Sequence, residues 1–331
     1  MNIPSDKYKK LMAVTKKGNI IDIPNRVMRK QRWKEEQDSK LTPNSICIVC
    51  NYSYYYKDRG WSDNVKDICH PFREYKMPAI NKKLHLFSES DFCDTMWMED
   101  ISLSEKKENY EYDFFCFTID SSQGVKCKGS ISLPLIFKAA KELGMRGLVQ
   151  DYYPRALPPC KGDGWDIHVR DVRKELSKMD NISIERGWVS QGRLNKLINK
   201  CKFVIFPNTR DASPRTIPET LLRGKSIMVN KNILGGWKYC NDVNGEFFDG
   251  AFDMEQLKSN EQYYYNEIKR VLIEMSNRNT NPGVIKNNYL EQYGFVNSSR
   301  RLAKIINRTE GHKKYRYVAY TDFSKYLRAI K

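Results

Sequence analysis

Two carboxylates eight residues apart, Asp211 and Glu219, bracket a turn-rich loop that follows a short apolar run, Phe203 to Phe206. The loop, Pro207 to Pro214, leads into a short helix expected over Thr216 to Arg223 and closed by Gly224, and Ile227 to Val229 then reads as a strand. A loop of this kind turns backbone amides and a helix start toward one point, which suits a phosphate. Carboxylates beside that point suit hydroxyl groups. A nucleotide sugar presents both. Glu219 taken alone reads as an ordinary first-turn acid favoured by the helix dipole; the spacing to Asp211 and the flanking elements reverse that reading. Pro214 and Pro218 suit a loop and a helix start.

Breaking a glycosyl–phosphate bond leaves charge on a diphosphate, so a cation must stand against it in the transition state. The chain has no Asp-x-Asp to hold a metal; Glu89-x-Asp91 and Glu111-x-Asp113 are the nearest patterns. A metal-free arrangement fits better, with the Arg215 guanidinium and the amides at the helix start near Thr216 as positive groups, each charge-assisted bond being worth about 1.5–3 kcal/mol. Cys47 and Cys50, with Cys69-His70, have the types of a zinc set. In a strand, however, residues i and i+3 face opposite ways, so no metal is assigned.

The elements that must position these residues alternate. Phe114–Ile119, Gly147–Gln150, Ile182–Ile184 and Phe203–Phe206 are strand-like, whereas Ile131–Leu143, Asp166–Met179 and Ser190–Asn199 carry apolar residues at helical spacing. Such alternation builds right-handed βαβ units and a parallel sheet covered on both faces, whose ligands bind at the carboxyl ends of the strands. Helices are expected at Asp253–Met275, Pro282–Tyr293 and Asn297–Asn307. Ahead of this lie strands at Ile46–Val49 and Leu84–Phe87, an aromatic segment Tyr52–Trp61, and a charged linker from Ser102 to Asp113. Residues 1–45, with 11 Lys or Arg against 5 acids, read as a basic extension; Lys304 to Lys331, with eight against two, read as a helix or basic tail.

Several of these stretches together resemble the donor-nucleotide domain of group 1 glycosyltransferases, glycosyltransferase family 4, which have the GT-B fold. The matching residues are Asp211, the Ala-Ser-Pro-Arg turn, Glu219, Gly224 and the strand Ile227–Val229. Gly187-Trp188-Val189-Ser190 lies upstream; Gly235-Gly236, Asn244-Gly245-Glu246-Phe247-Phe248 and Tyr289–Ile306 lie downstream. The resemblance covers about residues 111–307. It implies two Rossmann-type domains with parallel sheets facing a cleft, the N-terminal one reduced. By it, Glu219 takes the ribose hydroxyls and Asp211 the donor sugar, with Asp211, Lys128 and Glu219 as the catalytic set. The donor loop would be Ser213, Pro214, Arg215 and Thr216, with Lys126, Lys128 and Gly129 on the phosphates. Asp211 stands where the family has Glu, and Gln123 where it has the first phosphate-binding Arg. Gly60, Trp61, His85 and Asp91 are acceptor-side candidates, although a His in an apolar run, as His85 is, is more often a satisfied core residue. The expected segments are 1–45 extension, 46–110 acceptor side, 111–295 nucleotide-sugar domain, and 296–331 C-terminal helices and tail.

The implied activity is transfer of a hexosyl or pentosyl group from a nucleotide-diphosphate sugar to a glycan, glycoprotein or lipid-linked acceptor, with retention and without a metal or other cofactor. Two other classes compete: a nucleic-acid-binding protein, suggested by a formal charge of +17 and 20 Tyr, and a GT-B-like binding domain without turnover. An RRM-type aromatic-basic signature is lacking, so no specific nucleic acid is expected. The basic ends suggest peripheral contact with an anionic membrane, against the plainer reading of a solvated surface. With no 18-residue apolar run, no signal-peptide core and nine scattered cysteines, a soluble cytoplasmic protein is expected.

Overall fold

The structure is a computed structural model that describes residues 11–17, 19–23, 27–30, 44–49, 63–74, 82–93, 101–104, 109–117, 130–151, 178–187, 189–309, 311 and 313–319. In chain order the strands are β1 (Leu11–Thr15), β2 (Ile20–Ile23), β3 (Val27–Lys30), β4 (Ser45–Val49), β5 (Val65–His70), β6 (Lys83–Leu86) and β7 (Tyr112–Phe117). They continue with β8 (Gly147–Asp151), β9 (Ile182–Arg186), β10 (Cys201–Phe206), β11 (Ser226–Asn230), β12 (Gly245–Phe248) and β13 (Tyr315–Ala319). The helices are α1 (Leu133–Glu142), α2 (Gln191–Asn199), α3 (Thr216–Leu222), α4 (Met254–Ser259), α5 (Glu261–Asn277), α6 (Pro282–Gln292) and α7 (Gly294–Thr309). None of these is long and apolar enough to cross a membrane.

The chain divides into two compact units, Met1–Met98 with Tyr289–Lys331, and Glu99–Asn288. In the second unit a six-stranded sheet of order β12-β11-β10-β7-β8-β9 is parallel throughout. Its central strands are apolar on both faces. Phe114, Cys116, Phe203, Ile205 and Met228 belong to one core with Ile136, Ala139 and Ala140 of α1 and Ile268, Val271 and Leu272 of α5. Expected α-helix Asp253–Met275 is interrupted: Asn260, at φ −139° and ψ 33°, separates α4 from α5. A short polar side chain that competes for backbone hydrogen bonds suits such a break.

The first unit differs from the reading of its composition. The span 1–45, expected as an extension, holds β1, β2 and β3, and the span expected as a tail holds β13. β1 pairs antiparallel with both β13 and β2, whereas β3, β4, β5 and β6 form a parallel sheet in that order. β5 also escapes a hydropathy reading, because Lys66 and Asp67 interrupt its apolar run and Asp67 and His70 are nevertheless buried. The C-terminal segment is not separate: Phe295, Leu302, Ala303 and Ile306 of α7 join Ala13, Val14, Ile46, Ile48, Tyr317 and Val318 in one core. Nor is the charged stretch after Ser102 a free linker. Ser104 donates its backbone N–H to the Arg223 carbonyl at 2.8 Å, and Lys225 Nζ stands 4.4 Å from the Tyr110 ring. The Tyr52–Trp61 segment, residues 166–177 of the expected helix and the last twelve residues lie outside the described residues.

Leu302 has no exposed surface and faces this core from α7. Leu302→Ala is expected to cost about 2–5 kcal/mol, seen as a lower urea midpoint with the early loss falling in the first unit by hydrogen exchange.

Candidate active site in the second unit

Parallel strands end on one edge of the sheet, and that edge gathers their C-terminal loops. β10 sits inside the sheet between β7 and β11, in register through Phe203↔Phe114 and Phe203↔Ser226. It is followed by the nine residues Pro207–Arg215, and α3 begins at Thr216. Asn208 and Thr209 are buried, and Asn208 Nδ2 donates to Asp211 Oδ2 at 2.9 Å. This bond orients the Asp211 carboxylate from within the loop. The loop is also stitched to the segment after β11. Leu234 N donates to the Thr209 carbonyl at 2.7 Å, Gly235 N to the Asp211 carbonyl at 2.9 Å, and Asn230 Nδ2 to the Pro207 carbonyl at 3.3 Å.

Gly235-Gly236 permits that stitching. A Cβ on Gly235 would lie 1.9 Å from the Ala212 carbonyl oxygen, and one on Gly236 would lie 2.4 Å from Pro214 Cγ. Gly236 also has φ of +84°. Arg210, one residue before Asp211, lays its guanidinium 4.8 Å from the centre of the Phe252 ring.

Glu219 lies in the first turn of α3 and is 5% exposed. Burial pushes its pKa up, while Arg223, Arg215 and a hydrogen bond from the Gln191 side chain pull the other way without cancelling the shift. Arg223, one helical turn on, is 1% exposed. Its Nε donates to Asn195 Oδ1 at 2.7 Å, Nη1 to the Glu219 carbonyl at 2.8 Å and Nη2 to Gln191 Oε1 at 2.6 Å. α2 supplies Gln191 and Asn195 because its start is fixed: Ser190 caps it, accepting from Arg193 N at 3.2 Å. Just upstream Gly187, at φ +86°, turns the chain out of β9, with its N–H on the Asp151 carbonyl at 2.8 Å. Gln191, Asn195 and Arg223 are the polar residues that sequence reasoning missed. Their signal was the i, i+4 spacing of Gln191 with Asn195 and of Glu219 with Arg223, which puts each pair on one helix face.

The structure thus brings Asp211, Ser213, Pro214, Arg215, Thr216 and Glu219 into one loop and helix start at the C-terminal edge of β10. Lys126, Lys128 and Gly129, which follow β7 in sequence, and Gly60 and Trp61 lie outside the described residues. Among the described residues no group of three or more His, Cys, Asp or Glu is placed to hold a metal.

The remaining acceptor-side candidates, both in the first unit, are engaged internally. Asp91 has no exposed surface; it accepts from the Ser88 backbone at 3.3 Å and the Ser88 hydroxyl at 3.2 Å, and it pairs with Arg301 Nη2 at 3.0 Å. That set ties the turn Glu89–Phe92 to α7. His85 Nε2 lies 2.5 Å from Asp67 Oδ1, where Arg308 Nη2 also donates at 3.2 Å, and Thr309 Oγ1 donates to Asp67 Oδ2 at 2.6 Å. Burial raises the pKa of Asp67, but the bonds from His85, Thr309 and Arg308 outweigh it and hold the carboxyl below the ordinary range. Neither the core placement read for His85 nor an open ligand describes it: a half-buried ring is hydrogen-bonded to a buried acid.

This is the GT-B fold, a Rossmann-like α/β architecture, and solved glycosyltransferases share it. The lipopolysaccharide outer core galactosyltransferase WaaB in its apo form superposes with a TM-score of 0.54 at 9% identity, covering 82% of this chain and 80% of that one. The pneumococcal O-GlcNAc transferase GtfA, in complex with UDP and GlcNAc, gives 0.51 at 8% identity over 83% of this chain. The GtfA/B complex gives 0.52 at 8% identity over 83% of this chain. The chain spans 58% and 59% of the lengths of those last two. No protein-family model and no curated protein sequence matches the chain.

Because its folded pKa is raised above the ordinary 4.5, Glu219 stabilises the fold most below the unfolded value, and that contribution is lost as pH rises through the folded one. The ionised acid therefore costs stability near neutrality. Ligand-free Glu219→Gln is expected to melt above the wild type at pH 7.5, about 2–4 °C for each kcal/mol recovered, with the gain shrinking as pH approaches 4.5. A melting temperature that drops at pH 7.5 refutes the burial argument. Gly235→Ala, by contrast, should cost about 1–3 kcal/mol, since a backbone oxygen is what its Cβ meets.

Proposed function

We propose that the chain is a nucleotide-sugar-dependent glycosyltransferase that takes its donor at the C-terminal edge of the six-stranded sheet. The observation that carries this reading is the loop from Asp211 to Glu219: two carboxylates at the end of an inner parallel strand, one hydrogen-bonded by Asn208 and one buried, with Arg215 between them in sequence. A buried acid that costs stability is retained where it is used. The fold supports the same reading, since architectures of this kind bind ligands beyond the carboxyl ends of their strands. The UDP in the pneumococcal GtfA structure supports a nucleoside diphosphate as the leaving group.

In this mechanism Glu219 accepts hydrogen bonds from the ribose hydroxyls and Asp211 from the donor sugar. Arg215, Lys126 and Lys128 neutralise the departing diphosphate, with Gly129 allowing the close approach of the backbone and Ser213, Pro214 and Thr216 shaping the loop. The reaction proceeds with retention and without a metal, the departing diphosphate taking the acceptor's proton. The acceptor is a hydroxyl of a glycan, glycoprotein or lipid-linked sugar, and the cationic ends of the chain, within a formal +17, suit an anionic membrane surface that carries such an acceptor. Gly60 and Trp61 remain the acceptor-side residues of this proposal, since His85 is hydrogen-bonded to Asp67 and Asp91 is paired with Arg301.

A panel of nucleotide sugars should contain a donor that raises the melting temperature saturably, by RT ln(1 + [L]/Kd) in free energy, and Glu219→Ala should remove the rise. Lys126→Ala combined with Lys128→Ala should cut turnover about 10²-fold or more, read as released nucleoside diphosphate. Full turnover in that double variant places the phosphate site elsewhere.

A further inference from the structure

The strand order puts a reversal at the centre of the six-stranded sheet. From β7 the chain steps outward through β8 and β9, returns to the other side of β7 as β10, and steps outward again through β11 and β12. An open α/β sheet takes its ligand beyond the carboxyl ends of the strands at such a reversal. Arg210 is the fourth residue after β10.

Its side chain is half-buried and lies on an aromatic ring, the guanidinium standing 4.8 Å from the centre of Phe252. Phe252 belongs to the segment after β12, which runs to the start of α1, where Ala251 and Leu257 share a core with Ile131 and Leu133. A ring contact restrains a guanidinium through its face and occupies none of its N–H groups. Nε of Arg210 is buried with no partner, and among the described residues the side chain makes no other hydrogen bond or ion pair.

The acids beside it in the chain, or beside Phe252, are taken up elsewhere. Asp211 accepts from Asn208 Nδ2 at 2.9 Å. Asp249 accepts from Lys231 Nζ at 3.0 Å and from the Tyr263 hydroxyl at 2.9 Å, and Asp253 caps α4 by accepting from Gln256 N at 3.0 Å. A partly desolvated cation without an acid costs free energy, and the cost is offset when an oxyanion meets it. The fork of donors matches two oxygens of one phosphate or carboxylate.

We infer that Arg210 is a binding residue of the donor site, held on Phe252 with its N–H groups open to an oxyanion that the donor carries. Two parts of a nucleotide sugar can supply that group: the diphosphate, or a carboxylate on the sugar ring. The inference rests on the reading that the donor binds at this edge of the sheet.

The test uses the full chain. UDP, GDP, ADP and CDP are screened by thermal melt, and the base that binds is carried forward as three probes: the nucleoside diphosphate, its glucose ester and its glucuronic acid ester. Kd is measured by calorimetry in about 50 and about 200 mM KCl for the wild type, Arg210→Gln, Arg210→Lys and Glu219→Gln.

If the diphosphate is the group, Arg210→Gln weakens all three probes by about tenfold to a hundredfold, the loss expected for one charge-assisted contact. If the sugar carboxylate is the group, the loss is confined to the glucuronic acid probe. In either case Arg210→Lys lies between, since it keeps the charge without the fork, and affinity falls less steeply with salt in Arg210→Gln than in the wild type. A packing role gives another pattern: a lower ligand-free melting temperature with Kd unchanged, or a loss of affinity with the salt dependence of the wild type. Either result overturns the inference. Arg210→Lys carries the comparison if the glutamine variant does not fold. If Glu219→Gln weakens binding while both Arg210 variants bind as the wild type does, the inference alone fails. If none of the four nucleoside diphosphates binds, the donor reading fails and the inference with it.

Discussion

The second unit is organised around a buried acid. Glu219 sits 5% exposed on a seven-residue helix, in surroundings that raise its pKa, and most features of the candidate site follow from making that placement tolerable. Arg223, one helical turn on, is itself buried and needs acceptors of its own. Asn195 and Gln191 supply them from the facing helix, and the Ser190 cap and the Gly187 turn set where that helix begins. The loop ahead of Glu219 is held just as closely, by backbone bonds to Leu234 and Gly235 that only glycine allows at this approach. Removing one partner of such a network leaves a buried group unmatched, which is why its members behave as a set.

The first unit is closed by a different device. Its core needs the last helix of the chain: Leu302 and Ile306 reach Ile46 and Ile48 from more than two hundred residues away in sequence. Two buried acids secure that helix, Asp67 toward its C-terminal end through Arg308 and Thr309 on its carboxylate, Asp91 nearer its middle through Arg301 on its carboxylate and Ser298 on its main-chain carbonyl. Three donors converge on the Asp67 carboxyl and hold its pKa down, whereas at Glu219 burial prevails and the pKa is raised. Both side chains are screened from solvent, but Glu219 is the more deeply desolvated and Asp67 has the more donors, so depth and donor number act together in setting the two shifts apart.

Much of the second unit was legible beforehand. Strands and helices alternate where apolar runs and helical spacing predict them, because a parallel sheet covered on both faces demands continuous apolar strands and amphipathic crossovers. Boundaries moved by a few residues, as for β7, which begins at Tyr112 and ends at Phe117. The first unit was far less legible. β1, β2 and β3 sit in a basic span, and β5 carries Asp67 and His70 toward the interior, so hydropathy alone pointed away from a folded element. Asp91 and His85 looked like loop and strand-end ligands because sequence shows a residue's type but not its partner 200 residues on.

The sequence by itself determined the Asp211–Glu219 spacing, the glycine pairs and the βαβ rhythm. These are local quantities, fixed by φ and ψ preferences and by which side chains recur on one face. Only the tertiary structure decided that Glu219 is buried, that Arg223 is bonded to Gln191 and Asn195 of the facing helix, and that Asp91 and His85 serve the last helix. Each depends on long-range packing that brings distant helices and strands within hydrogen-bond reach, where desolvation rather than composition sets the charge a residue can keep.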